Sequence, residues 1–177
     1  RNTDKSLAEL IRARSEELSW VVESSTNTER KTSPKPPFTT STLQQAASTT
    51  YGYAPDRTMS IAQRLYEGVD THTGHKGVIT YMRTDSLNLA DEAIAAIRAE
   101  ISNQWGDRYL HPTPRKYTTK SKGAQEAHEA IRVTDVTFTP ELAKRFLDPE
   151  QLKIYTLIYN RTMMCQMAVS LNDIISR

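Results

Sequence analysis

The sequence predicts a mostly helical chain with strand-like segments at its two ends, α+β overall. Three observations predict it. Between the ends, apolar residues recur at helical spacing in several stretches, each with start and stop signals. Runs that read as strands stand at residues 18–25 and 168–175. Pro34-Lys35-Pro36-Pro37 separates the first end from the middle, because proline fixes φ and disfavours helix in the residue before it. The expected division is residues 1–33 as an incoming helix and strand, 34–167 as a helical body, and 168–177 as a returning strand. The helical body is then an insertion into a β-rich domain of which this chain holds only the edges.

Each element has its own reason. Residues 4–17 form an amphipathic helix capped by Asp4, with Leu7, Leu10, Ile11 and Leu18 on one face. Leu18–Ser25 follows as a strand, and the polar run up to Ser33 is either a solvated edge strand or a loop. Thr40 or Ser41 caps a helix that ends near Gly52. Pro55 opens the next helix, Met59, Ala62 and Tyr66 line its face beside Ile61 and Leu65, and Gly68 ends it. A polar loop runs to Lys76, and residues 78–82 are a short strand. Residues 91–105 are the clearest helix, with Ile94, Ile97, Ile101 and Trp105 in register and Asp91 and Glu92 at its positive end. Residues 107–123 read as a loop. Thr139-Pro140-Glu141 opens a short helix. Asp148-Pro149-Glu150-Gln151 opens a longer one that buries Leu152, Tyr155, Tyr159 and Met163.

Composition excludes several classes. Cys165 is the one cysteine, so neither an intrachain disulfide nor a cysteine-based zinc site can form. The six glycines never build a phosphate-binding loop. No apolar stretch reaches the length of a membrane span, and the expected reading is of a piece of a longer chain whose own start is not judged for a leader. With 23 basic against 21 acidic residues, a net charge of +2 does not announce a nucleic-acid binder. Only the distribution of charge can do so. Residues 113–123 carry Arg115, Lys116, Lys120 and Lys122 with Tyr117 and no acid, which suits a phosphate backbone or simply an exposed loop.

Chemistry concentrates at Thr80-Tyr81-Met82-Arg83-Thr84-Asp85-Ser86. In extended geometry Tyr81 and Arg83 point to the same side, and Asp85 and Ser86 cap the following turn. The plain reading is a tyrosine packed at a strand end beside a solvated arginine. The functional reading is a nucleophile. A free phenol titrates near pH 10, so roughly one in a thousand is ionised at neutral pH, and it needs a base or a positive charge beside it. Arg83 supplies charge and a fork that fits phosphate. A second cluster is Gln125-Glu126-Ala127-His128-Glu129-Ala130-Ile131-Arg132. As a helix it places His128 and Arg132 one turn apart. One histidine and two glutamates without a partner cluster are a weak metal signal, and no metal is expected in this chain.

These residues resemble a known family. Residues 80–86 are similar to the active-site motif of bacterial-type DNA topoisomerase I, a type IA enzyme. Three further stretches fall in the family's order: residues 36–44, residues 58–59 with 62–68, and residues 125–132. The resemblance covers residues 34–167 strongly and the ends more loosely. It implies a helical domain carrying the tyrosine, joined through a β-rich arch that residues 1–33 and 168–177 belong to. It implies that Tyr81 attacks a phosphodiester of single-stranded DNA, leaving a 5′-phosphotyrosine and a free 3′-hydroxyl. Another strand then passes, and the ends rejoin without ATP. Arg83 would stabilise the phosphate. His128 would bind DNA or orient an acidic partner, with Thr84, Asp85, Glu126 and Arg132 in support and Lys120 and Lys122 on the DNA.

The family's magnesium-binding acidic Toprim domain is expected outside this chain. The chain alone is therefore expected to be inactive. Expected partners are negatively supercoiled or single-stranded DNA and the other domains of one monomeric polypeptide. The expected place is the cytoplasm on the nucleoid, or an organelle in a eukaryote. Residues 69–76 are a longer loop than in some members, and its His72 and His75 are expected to be solvated. The competing readings are a non-catalytic helical DNA-binding module and a purely structural helical domain. Neither needs Arg83 two residues after Tyr81.

Overall fold

The computed structural model describes residues 4–19, 26–118, 128–168 and 170–176. The chain divides into two compact units, residues 1–31 with 171–177 and residues 32–170.

In the smaller unit, helix α1 spans Lys5–Glu17. The Asp4 carboxylate accepts from the Ser6 and Leu7 N–H groups, pairing two of the donors that a helix start leaves open. Leu7, Leu10, Ile11 and Leu18 are exposed, and α1 buries no residue. Strand β1, Thr26–Thr32, pairs with β4, Ser170–Ser176, in a two-stranded sheet. The strand expected at 18–25 falls mostly outside the described residues. Leu18 and Ser19 follow α1 unpaired, and residues 20–25 lie outside the described residues. The polar run after them, open to reading as an edge strand or a loop, forms β1. Ladder hydrogen bonds join backbone groups, so a polar run can form a strand when a partner strand is present.

The larger unit holds the core. Helix α2, Thr40–Tyr51, starts with a capping box between Thr39 and Thr42 and stops at Gly52, whose φ of +68° favours glycine. The cap is thus Thr39, one residue before the expected Thr40 or Ser41. Helix α3, Pro55–Glu67, begins on its proline, and helix α4 spans Asp91–Trp105. Helix α5 is the short Pro140–Ala143. Helix α6, Pro149–Met164, has a capping box between Asp148 and Gln151.

Helix α6 packs against α2, α3, α4 and α5. It therefore buries more than one stripe: Ile154 and Ile158 join Tyr155, Tyr159 and Met163, while Leu152 is only partly buried. Leu43, Ile61, Leu65, Ile154 and Ile158 are fully buried across α2, α3 and α6, each contributing about 1.5–3 kcal/mol. Tyr66 and Trp105, expected on buried faces, are exposed, because each sits in the last turn of its helix.

Residues 69–76 are a hairpin rather than a plain loop. Strand β2, Val69–Thr71, pairs antiparallel with β3, Gly74–Lys76. The Thr71 hydroxyl donates to the Gly74 carbonyl at 2.7 Å and holds the turn. Val69 and Thr71 are buried and Asp70 is exposed, a period-two pattern too short to read from the sequence.

Candidate active site

Three extended segments, far apart in the chain, are stitched together beneath the candidate nucleophile. Ile131 N–H donates to the Phe38 carbonyl at 2.8 Å. Thr80 N–H donates to the Arg132 carbonyl at 2.9 Å, and Thr134 N–H to the Val78 carbonyl at 3.0 Å. The Thr80 hydroxyl donates to the Ala130 carbonyl at 2.7 Å and accepts from Arg132 N–H at 2.9 Å. These bonds correct two expectations. The strand at 78–82 reduces to one bridged residue, Ile79 opposite Val133. Residues 128–133 are not helical. Their backbone groups are spent sideways on Phe38 and Thr80, and Ala130, Ile131 and Val133 are all buried. A helix would expose part of that run and claim the same N–H groups.

The segment after Tyr81 is held by the start of α2. The Thr40 hydroxyl donates to the Met82 carbonyl at 2.8 Å and accepts from Thr84 N–H at 2.9 Å. Thr40 N–H donates to the Thr84 carbonyl at 2.9 Å. Met82, Thr84 and Ser86 are buried, and Arg83 and Asp85 are exposed. The turn that follows is capped by Thr84 and Ser86, whose hydroxyls accept from Ser86 N–H and Asn88 N–H. The expected cap, Asp85, points outward instead.

Tyr81 is half-buried. Its ring lies 5.4 Å from Tyr66, nearly edge-on at 69°, and 5.3 Å from His128. Among the described residues, none hydrogen-bonds the Tyr81 hydroxyl. Its ring neighbour His128 lines, with Thr39, Thr40, Ser41, Gln44, Arg83, Thr84 and Asp85, a cleft of about 440 Å³ that Tyr81 itself does not line. Arg83 has no ion pair or hydrogen bond with a described residue. Hydroxyls, an amide, the positive end of α2 and a guanidinium with no described partner can meet a phosphate here, while the Asp85 carboxylate in the same lining opposes it.

Other expected site residues behave differently. Arg132 is committed: its guanidinium grips Glu129 at 2.7 and 3.3 Å and donates to the Val133 carbonyl. Glu129 in turn accepts from Ala90 N–H, so this pair ties the start of α4 to residues 129–132. Glu126, Lys120 and Lys122 lie outside the described residues. The start of the basic loop is tied down, with Lys116 paired to Asp91 at 2.8 Å and the Tyr117 hydroxyl on the Cys165 carbonyl at 2.8 Å. Burial raises the Tyr117 phenol and pushes the Cys165 thiol up to about 12, so neither is a nucleophile at neutral pH. Thr40, Tyr66 and Glu129 are the participants that residue-by-residue reading did not single out. Tyr66 was placed with the core by its helical spacing.

A family model described as DNA topoisomerase matches residues 1–174. The chain belongs to this family. Relatives agree: it is 54% identical to DNA topoisomerase 1 of Campylobacter jejuni over 171 residues, 97% of this chain and 24% of that protein. It is 51% identical to DNA topoisomerase 1 of Helicobacter pylori J99 over 164 residues, 93% of this chain and 22% of that protein. Among solved structures, full-length topoisomerase I from Thermotoga maritima matches with a TM-score of 0.77 at 38% identity, covering 98% of this chain and 27% of that one. The chain thus spans about a quarter of the length of these relatives. In this topoisomerase chain no described helix is long and apolar enough to cross a membrane. Among the described residues no three His, Cys, Asp or Glu side chains gather as a metal-holding group.

Proposed function

We propose that this chain is the tyrosine-bearing part of a type IA DNA topoisomerase, with Tyr81 as nucleophile. One observation carries the reading. A half-exposed phenol with no hydrogen-bond partner among the described residues stands next to Arg83 and His128, which line a polar cleft where Arg83 has no described partner. The Tyr81 oxygen attacks the phosphorus of a phosphodiester in single-stranded DNA. The bond from phosphorus to the 3′ oxygen breaks, and the phenol proton is lost as the 3′ oxygen gains one. The products are a 5′-phosphotyrosine and a 3′-hydroxyl. After strand passage the hydroxyl attacks the phosphotyrosine, and the reverse proton movements restore Tyr81. The ester keeps the bond energy, so ATP is not needed. Arg83 stabilises the charge that builds on the phosphate oxygens. His128 lines the same cleft and contacts DNA there. Residues 34–167 form the working domain and both ends belong to the arch. The remaining domains of the polypeptide bind the magnesium and complete the enzyme.

The test is Tyr81→Phe in the full-length protein. Relaxation of negatively supercoiled DNA and the covalent protein–DNA adduct should both vanish, while binding of a single-stranded oligonucleotide stays within about twofold, since only one hydroxyl is removed. A persisting adduct would refute the assignment.

A further inference from the structure

We propose that Tyr66 is a positioning residue for Tyr81, its ring holding the attacking phenol at a working angle. This rests on the reading of Tyr81 as the nucleophile. Among the described residues none bonds the Tyr81 hydroxyl, and the ring is held by packing. Among the described residues its ring partners are Tyr66 and His128. The Tyr66 contact, at 5.4 Å and 69°, is the edge-to-face arrangement that aromatic quadrupoles favour.

Tyr66 is also built into place. Val78 N–H donates to the Leu65 carbonyl at 2.8 Å, which joins the end of α3 to the segment that leads into Tyr81. At Gly77 a β-carbon would stand 2.3 Å from the Tyr66 carbonyl oxygen, so that approach requires glycine. The β2–β3 hairpin spans the gap between these anchors. Tyr66 is 42% exposed, so core packing does not account for a large aromatic there. No described residue hydrogen-bonds its hydroxyl. The ring is therefore the useful part, and phenylalanine should replace it.

The experiment compares Tyr66→Ala and Tyr66→Phe in the full-length protein. In single-turnover cleavage of a single-stranded oligonucleotide, Tyr66→Ala should form adduct roughly three- to tenfold more slowly, the range expected for one lost ring contact. Tyr66→Phe should stay within about twofold. Oligonucleotide affinity, measured in a Tyr81→Phe background, and thermal unfolding should be unchanged in both. A Tyr66→Ala protein that cleaves at the parent rate overturns the proposal. So does a loss of affinity that accounts for the slower rate, which would make Tyr66 a DNA contact, or a Tyr66→Phe defect equal to that of alanine.

A second readout needs no chemistry. With 3-fluorotyrosine at position 81, the fluorine resonance should shift or broaden in Tyr66→Ala and keep its place in Tyr66→Phe. An unchanged resonance in Tyr66→Ala overturns the proposal. Absence of any adduct from the parent protein would instead refute the nucleophile assignment, and the fluorine spectrum would still judge the ring contact.

Discussion

Tyr155 and Tyr81 are the same residue in opposite settings. Tyr155 is 0% exposed, packs edge-on to Phe138 at 5.5 Å, and donates its hydroxyl to the Phe138 carbonyl at 2.6 Å. Burial drives its phenol far above the usual range, so it never ionises at neutral pH. Tyr81 has ring neighbours but no hydroxyl partner among the described residues, and its neighbour His128 lines a polar cleft. On the proposed reading of Tyr81, the difference is that between a strut and a reagent. A satisfied, desolvated hydroxyl stabilises the core, whereas an unsatisfied, accessible one remains free to react.

If this contrast is right, substitutions at the two tyrosines should fail in different assays. Tyr81→Phe removes all adduct and leaves thermal unfolding nearly unchanged. Tyr155→Ala should cost about 3–5 kcal/mol in denaturant unfolding of the protein, as large-to-small core changes do. A stable Tyr155→Ala protein would break the comparison. Arg83→Lys should slow single-turnover cleavage roughly ten- to a hundredfold, because a point charge replaces a bidentate fork. Cleavage at the parent rate would reduce Arg83 to a solvated residue.

Thr40→Ala should lower stability by about 1–2 kcal/mol, since Thr84 N–H and the Met82 carbonyl each lose a partner. Calorimetry would detect it.

The smallest effect is at Asp135, on the scaffold side. Burial raises its carboxyl, but hydrogen bonds from Thr137 and Lys76 outweigh that and hold it below the usual range. A depressed carboxyl adds stability above its unfolded pKa, near 3.9, and loses it as pH falls through the folded value. Asp135→Asn should therefore flatten the acid limb of a stability–pH curve below about pH 4, by well under 1 kcal/mol because the group is partly solvated. An unchanged acid limb would remove Asp135 from the account.

Much of the helical body was legible in advance because its signals are local. Asp4, Pro55, Gly52, Gly68 and the Asp148–Gln151 box act within a few residues of the ends they mark. The strip from 128 to 133 was not legible. Its alternation of small, apolar and charged residues suits a helix as well as a strand, and tertiary partners chose the extended form. Tyr66 was misplaced because helical period assigns a face but does not say where the core stops.

By itself, the sequence determined where the main helices begin and end and that a single cysteine leaves no intrachain disulfide. Tertiary structure decided the rest of the site. Thr40 reaches Met82 across 42 residues, and Thr80 reaches Ala130 across 50. Such bonds depend on which segments the core brings side by side, and that follows from burying α6 among its neighbours, not from any local preference of a threonine.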